Sequence, residues 1–357
     1  MAAAVQDPYA ILGVSRDAVN AEIRQAFRAL ALEFHPDRNP APAAVERFKD
    51  ITAAHELLSD PVRRKRFDAT GSAGPVVIPS RKDHYHVEGR VFVGEVADLY
   101  RARRQSTGDL VCLKVARAPG DNDLLESEAR TLLDIYPPAQ KDEKHYRYLP
   151  RLIESFKLDD GARRQVNVLP WLGEFRSLEE VRAAYPQGVA MEHGVWIFNR
   201  MLEALDFLHL AKGMAHGALV PAHVLVRPED HAAKLVGWSC AVKAGERVRA
   251  ISPRYRALYA PEVLDKEPVT WATDLYMAAK CVIYVLGGDC ADDVLPPSVP
   301  GYFASFLRGC VLRNPRRRPQ NAWTLHEELK EHLAKHYGPR KFVPFHMPDR
   351  ADHKETP

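Results

Sequence analysis

Residues 71–83 read GSAGPVVIPSRKD. The stretch is made of small residues and two prolines around a short apolar run, and it shows no hydrophobic period. Such a composition does not specify a buried face of its own, so it reads as a linker. It is also where the pattern of the chain changes. Upstream, apolar residues recur with a helical period; immediately downstream they recur with a strand period. A single continuous core is therefore excluded, and 357 residues are enough for two. As a flexible coil the linker would span roughly 20 Å root-mean-square.

The upstream segment reads as four helices. Asp7-Pro8 is a cap followed by a first-turn proline, and Gly13 stops that short helix. Asn20 is predicted to cap a second helix whose inward face is Ile23, Ala26, Phe27, Leu30, Ala31 and Phe34. HPDRNPAPA, with three prolines, cannot continue it. A third helix turns Val45, Phe48, Ile51 and Leu58 inward, and Ser59-Asp60-Pro61 ends it and caps a short basic fourth helix, VRRKRFD. A helical unit this small buries too little to enclose a substrate, so it must act through its surface.

DPYAILGV, EIRQAFRALALEFHPDRNP and FKDITAAHELLSDPVRRKRFDATG together resemble the J-domain of DnaJ-class co-chaperones over essentially all of residues 5–70. The resemblance implies that His35, Pro36 and Asp37, with Arg24 and Arg28 on the solvent face of the second helix, dock on a DnaK-class heat-shock ATPase and trigger its ATP hydrolysis. Two positions depart from the family. Glu33 stands where a basic residue is usual, and His55 stands where tyrosine is common, which reads as a packing change.

After about residue 85, RVFVGEVADLYRAR and LVCLKVAR read as strands joined by an STGD turn. LLESEARTLLDIY returns to the helical period, and long helices dominate from Met191 onward. In GVWIFNRMLEALDFLHL, Ile197, Met201, Leu202, Leu205 and Leu208 share one face. VCLKVAR, ESEARTLLDI, NRMLEALDFLH, YAPEVL, TDLYMAAKCVIYVL and NPRRRP, in that order, make residues 85–337 resemble a protein kinase domain. The resemblance implies an α+β bilobal fold, with an N-lobe over about 85–170 and a C-lobe over about 171–337. Residues 338–357 read as a polar tail expected to be poorly ordered.

Within that resemblance, HGALVPAHVL aligns with the catalytic loop HRDLKPENVL. His216 is kept, but the catalytic-base position holds Ala218, the loop-lysine position Val220 and the metal-binding asparagine position His223. KLVGWS places Gly237 where the magnesium-binding aspartate is usual, and the three phosphate-loop glycine positions hold Phe92, Gly94 and Ala97. Phosphoryl transfer needs hard oxygen ligands for magnesium and a positioned base. Loss of the base alone typically costs ~10²–10⁴ in rate. The expectation is a kinase fold that is not an enzyme.

Lys114 and Glu128 match the strand–helix ion pair; a structural pin is the simpler reading, residual nucleotide contact the sharper one. Glu262 and Arg318 match a buried C-lobe pair, and Asp274 an aspartate that braces the catalytic-loop backbone. Glu229 and Asp230 fall in a hairpin turn and do not replace the missing acids. His216 and His223 lack a third ligand, so no metal site is expected.

Composition narrows the rest. The net charge of +3 is too small to imply global attraction to nucleic acid or membrane. Five dispersed cysteines without a CxxC pair read as reduced thiols, and no apolar run reaches membrane-spanning length, so a cytoplasmic location is expected. The reading is multidomain: an N-terminal all-α J-domain (5–70), a linker (71–84) and a protein-kinase-like domain (85–337). Its expected partners are a DnaK-class chaperone and a protein client bound by the kinase fold. No cofactor is implied, ATP without magnesium being the one nucleotide mode left open. The alternative is an atypical kinase-fold nucleotide-binding protein or transferase regulated by its J-domain.

Overall fold

The computed structural model of the chain describes residues 7–39, 41–70, 76–136, 146–338 and 341–348. They form two compact units. The first comprises the described residues up to 91 together with 100–109; the second comprises 92–99 and the described residues from 110 onward.

The first unit opens with α1 (Pro8–Leu12), α2 (Asn20–Phe34), α3 (Pro42–Ser59) and α4 (Pro61–Thr70). The Asp7 carboxylate accepts from the Tyr9 amide at 3.1 Å, and Gly13 closes α1 at φ 67°, as the sequence predicts. Asn20 is not the cap of α2. It is the first helical residue, and the cap position is Val19, whose N–H is taken by the Glu22 carboxylate at 2.8 Å. A carboxylate at the third helical position can satisfy that donor from inside the helix, so no polar cap is needed. Ile23, Ile51 and Leu58 are fully buried between α2 and α3. Each such side chain contributes about 1.5–3 kcal/mol by leaving water. His55 stacks on Phe27 at 4.0 Å, a packing role.

The predicted linker is in part a strand. Residues 71–75 lie outside the described residues, but β1 (Val76–Pro79) pairs antiparallel with the start of β2 (His84–Val93), Val76 opposite Val87. Val76 and Ile78 turn inward, so the short apolar run that looked aperiodic in sequence is a two-residue alternation. β3 (Ala97–Arg104) lies beside β2. The unit boundary therefore does not fall at the expected 70/85 division. The α3–α4 corner is tied to these strands: Arg90 donates to the Ser59 carbonyl at 3.0 Å, and the Tyr100 hydroxyl donates to Asp60 Oδ1 at 3.1 Å. Asp60 Oδ1 also accepts the Val62 and Arg63 amides as the cap of α4, and both Asp60 and Tyr100 are buried.

In the second unit, β4 (Leu110–Ala116) and β5 (Glu154–Lys157) flank β6 (Gln165–Pro170), both antiparallel to it, with Lys114 opposite Asn167. The helix α5 (Asn122–Ile135) lies between β4 and β5 in the chain. Next come β7 (Arg176–Ser177), α6 (Leu178–Ala184) and α7 (Met191–Asp206), the last continued by a π-helical turn over Phe207–Ala211. The hairpins β9 (Val224–Arg227)–β10 (Ala232–Leu235) and β8 (Met214–Ala215)–β11 (Val242–Lys243) frame a loop at residues 216–223. The chain ends in α8 (Pro261–Leu264), α9 (Trp271–Val285), α10 (Gly301–Cys310) and α11 (Ala322–Tyr337).

Ile197, Met201, Leu202, Leu205 and Leu208 are all fully buried, as their spacing predicts. α9 is apolar nearly all round and sits in the core. Its three buried polar residues each find partners, as low-dielectric burial demands. Thr273 bonds Glu262, Asp274 bonds the 216–217 loop, and Lys280 bonds the Cys290 carbonyl and Asp293.

The tail departs from expectation. Among residues 341–348, Phe345 is buried against Tyr185 and His193 (ring centroids 5.6 and 4.5 Å), and the Tyr185 hydroxyl donates to the His346 carbonyl. Two phenylalanines in an otherwise polar segment supply that docking; residues 349–357 lie outside the described residues. No helix among the described residues is long and apolar enough to cross a membrane.

Candidate functional site

Two groups of predicted residues are placed in different units. In the first unit, His35, Pro36 and Asp37 form the turn after α2. The His35 carbonyl accepts the Arg38 and Asn39 amides at 2.9 and 2.8 Å, which closes the turn. His35 Nδ1 accepts the Asp37 amide at 3.2 Å, so the neutral ring carries its proton on Nε2. The ring packs edge-on against Phe48 at 5.6 Å. The Asp37 side chain is 89% exposed, so its carboxylate is free to meet a partner. Arg24 and Arg28 line a shallow depression on exposed α2 with Ala21 and Gln25. The arrangement is a rigid charged tip beside a basic helix face.

In the second unit, Lys114 on β4 and Glu128 on α5 meet at 2.8 Å, with Glu128 only 1% exposed. Glu128 is tied further than the ion pair requires. Asn167 Nδ2 donates to its Oε2 at 3.0 Å, and the Trp238 amide donates to its Oε1 at 3.2 Å. Burial pushes the Glu128 carboxyl up, but the Lys114 ammonium and the Asn167 amide outweigh that and hold it below the usual carboxylate range.

The loop predicted to have lost its chemistry keeps its shape. Asp274, fully buried on α9, accepts from the His216 amide at 2.7 Å and the Gly217 amide at 3.0 Å. His209 Nε2 meets it at 2.9 Å, presented by the π-helical turn after α7. Burial works against the Asp274 charge, and His209 and His216 more than compensate, so it lies below the usual range. His216 Nε2 bonds the Val236 carbonyl at 3.0 Å, and its ring lies 4.4 Å from that of the fully buried Trp238. Ala218 is 2% exposed, while Leu219 and Val220 are fully buried.

His223 and Gly237 are the most informative pair. His223 Nδ1 bonds the Ala218 carbonyl at 2.8 Å, and its ring covers Gly237. A Cβ at Gly237 would lie 2.4 Å from His223 Cδ2, and the backbone there is left-handed at φ 78°. The imidazole thus occupies the space a carboxylate side chain at 237 would need. Burial, with His216 nearby, lowers the His223 pKa to about 4, so the ring is neutral near pH 7. A bare glycine and a neutral imidazole already bonded to a carbonyl do not fit the hard oxygen set that magnesium takes. Among the described residues no group of three or more His, Cys, Asp or Glu could hold a metal ion. At the rim, Phe92 is 42% exposed, Ala97 is buried, and Gly94 packs so tightly that a Cβ would sit 2.4 Å from the Ala97 carbonyl oxygen.

Glu262 and Arg318 form a bidentate pair at 2.6 and 2.9 Å, with the guanidinium over the Tyr276 ring at 4.6 Å. Arg227 pairs Asp230 at 2.7 Å in the β9–β10 turn, away from the 216–223 loop in role. Sequence reasoning missed four residues of this network: Asn167, His209, Gly217 and Trp238 as a backbone donor. Gly217 alone carried a signal. At φ 73°, with a Cβ that would lie 2.7 Å from the Cys240 carbonyl oxygen, it must be glycine.

A family model described as the DnaJ domain matches residues 7–68. Residues in this chain are 50% identical over 74 positions to the chaperone protein DnaJ of Roseiflexus sp. (strain RS-1), covering 21% of this chain and 20% of that protein. They are 57% identical over 65 positions to chaperone protein DnaJ 2 of Streptomyces coelicolor, covering 18% and 17%. The match thus spans about a fifth of those relatives. Among solved structures, the BubR1 kinase domain superposes with a TM-score of 0.55 at 17% identity, covering 73% of this chain and 83% of that one. The chain carries a DnaJ domain at residues 7–68, followed by a protein-kinase-like fold.

Proposed function

We propose that this protein is a J-domain co-chaperone that recruits and stimulates a DnaK-class ATPase of the heat shock protein 70 family. The kinase-like unit serves as a non-catalytic module that binds a client or partner protein. The observation that carries the reading is a contrast. The His35-Pro36-Asp37 turn is intact and presented, whereas in the cleft His223 fills the space over Gly237 and Ala218 offers no base. One surface is kept for binding and the other has lost the groups that phosphoryl transfer requires. A fold of this size offers a large stable surface once its site is dispensable.

Two measurements test the halves. Single-turnover ATP hydrolysis by a DnaK-class chaperone should accelerate on adding the full chain, and His35→Gln should abolish the acceleration without loss of helical signal. Equal stimulation by the variant removes the first half. Incubation with labelled ATP and magnesium or manganese should label neither the protein nor mixed protein substrates. Labelling that vanishes in Lys114→Met establishes the transferase alternative instead.

A further inference from the structure

Resting on the reading of the second unit as the partner-binding module, we infer that residues 243–256 form a docking edge for an extended, acidic segment of a partner protein. The charge is the first observation. Lys243, Arg247, Arg249, Arg254 and Arg256 stand here against Glu246 alone, whereas the whole chain carries only +3. The positive charge of the molecule is therefore concentrated in this one stretch, and all five cations are exposed. Glu246 is engaged by the Lys243 amide at 3.1 Å, and Arg254 pairs with Glu179 at 2.5 Å. Among the described residues the other four cations have no acidic partner.

The backbone is the second, independent observation. The stretch is pinned at both ends. Gly245 donates to Val269 and Val269 to Glu246, each at 2.8 Å, while the Ser252 amide donates to the Tyr259 hydroxyl at 3.1 Å. In its middle the Cys240 thiol bonds the Ala250 carbonyl at 3.3 Å. Between the pins, residues 247–251 run without regular pairing, and none of their N–H groups donates to a backbone carbonyl among the described residues. Arg247 and Arg249 face solvent, while Val248 and Ala250 are half-buried, the two-residue alternation of a strand. A held, unpaired, extended segment accepts an incoming strand through its main chain. Cross-strand opposite charges then select an acidic one.

The same charges could merely guard an exposed edge against self-pairing. Nucleic acid is the other polyanion. Its binding draws on broad positive charge and stacking platforms. Here the charge is local, and Tyr255, the one aromatic residue in the stretch, is half-buried beneath the Arg254 guanidinium at 5.4 Å.

The test uses the full chain and fluorescence anisotropy with three labelled probes: a short peptide alternating glutamate and threonine, its glutamine counterpart, and a single-stranded RNA of equal length. Because this binding is charge-steered, the acidic peptide should bind at least about tenfold tighter than the glutamine peptide and the RNA. Arg247→Glu combined with Arg249→Glu should lose that affinity, while amides 247–251 of the wild type gain hydrogen-exchange protection in the complex. Tighter RNA binding, equal binding of both peptides, or undiminished binding by the variant overturns the proposal. His35-dependent ATPase stimulation, read in the same samples, reports on the co-chaperone reading separately.

Discussion

His223 and Gly237 depend on one another. With the imidazole ring 2.4 Å from where a Cβ at 237 would sit, no side chain can return to that position while the histidine stays. Gly237→Ala should therefore destabilise the second unit by about 1–3 kcal/mol, from left-handed strain together with the clash. Thermal unfolding of the Gly237→Ala, His223→Ala double variant should recover part of that loss; full additivity would mean the ring and the glycine are not coupled. The same histidine sets a pH dependence. Its folded pKa of about 4 lies below the ordinary 6.5, so near pH 5 the unfolded chain binds more protons than the native one. Its contribution is complete above pH 6.5 and is lost as pH falls toward 4. His223→Asn should flatten that slope in melts recorded across the interval, leaving a residual slope from His216, which burial also lowers. At this scale the substitutions at 218, 223 and 237 were legible because an aligned motif exposes a missing residue type. The support given by Asn167 and by the Trp238 amide was not, since neither side-chain type nor spacing announces a backbone donor that arrives from a distant segment.

At the scale of elements, the four helices of the first unit could be read from caps, prolines and apolar spacing, because those signals act within a few residues. β1 could not. Its pairing with β2 depends on a partner across a turn, and four residues carry too little pattern to reveal it. The consequence is a fixed corner rather than a free tether at Asp60. Asp60→Ala should cost about 1–2 kcal/mol as a lost cap of α4. It should cost up to a further ~1–3 kcal/mol for stranding the buried Tyr100 hydroxyl. Tyr100→Phe, which spares the cap, should cost less than Asp60→Ala in chemical denaturation. Hydrogen exchange at Val62 and Arg63 separates the two: faster in Asp60→Ala, little changed in Tyr100→Phe. Equal effects at both positions would show that the Tyr100–Asp60 bond, not the cap, holds the corner. The docked Phe345 makes the same point about reach, because two rings in a polar tail gain meaning only beside Tyr185 and His193.

At the scale of the whole molecule, the account assigns one activity to each part: a J-domain that calls an ATPase, and a kinase fold that decides what the ATPase meets. A J-domain by itself carries no choice of client, and holding a chaperone near a bound partner raises its effective concentration toward the millimolar range. The most direct test is complementation in cells that depend on this protein. The full chain should restore growth, His35→Gln should not, and residues 1–75 alone should not. A chain whose J-domain is replaced by that of another co-chaperone, keeping Ser59, Asp60 and residues 76–357, should restore it. Rescue by residues 1–75 alone, or by the His35→Gln chain, would contradict the division of labour proposed for these two units.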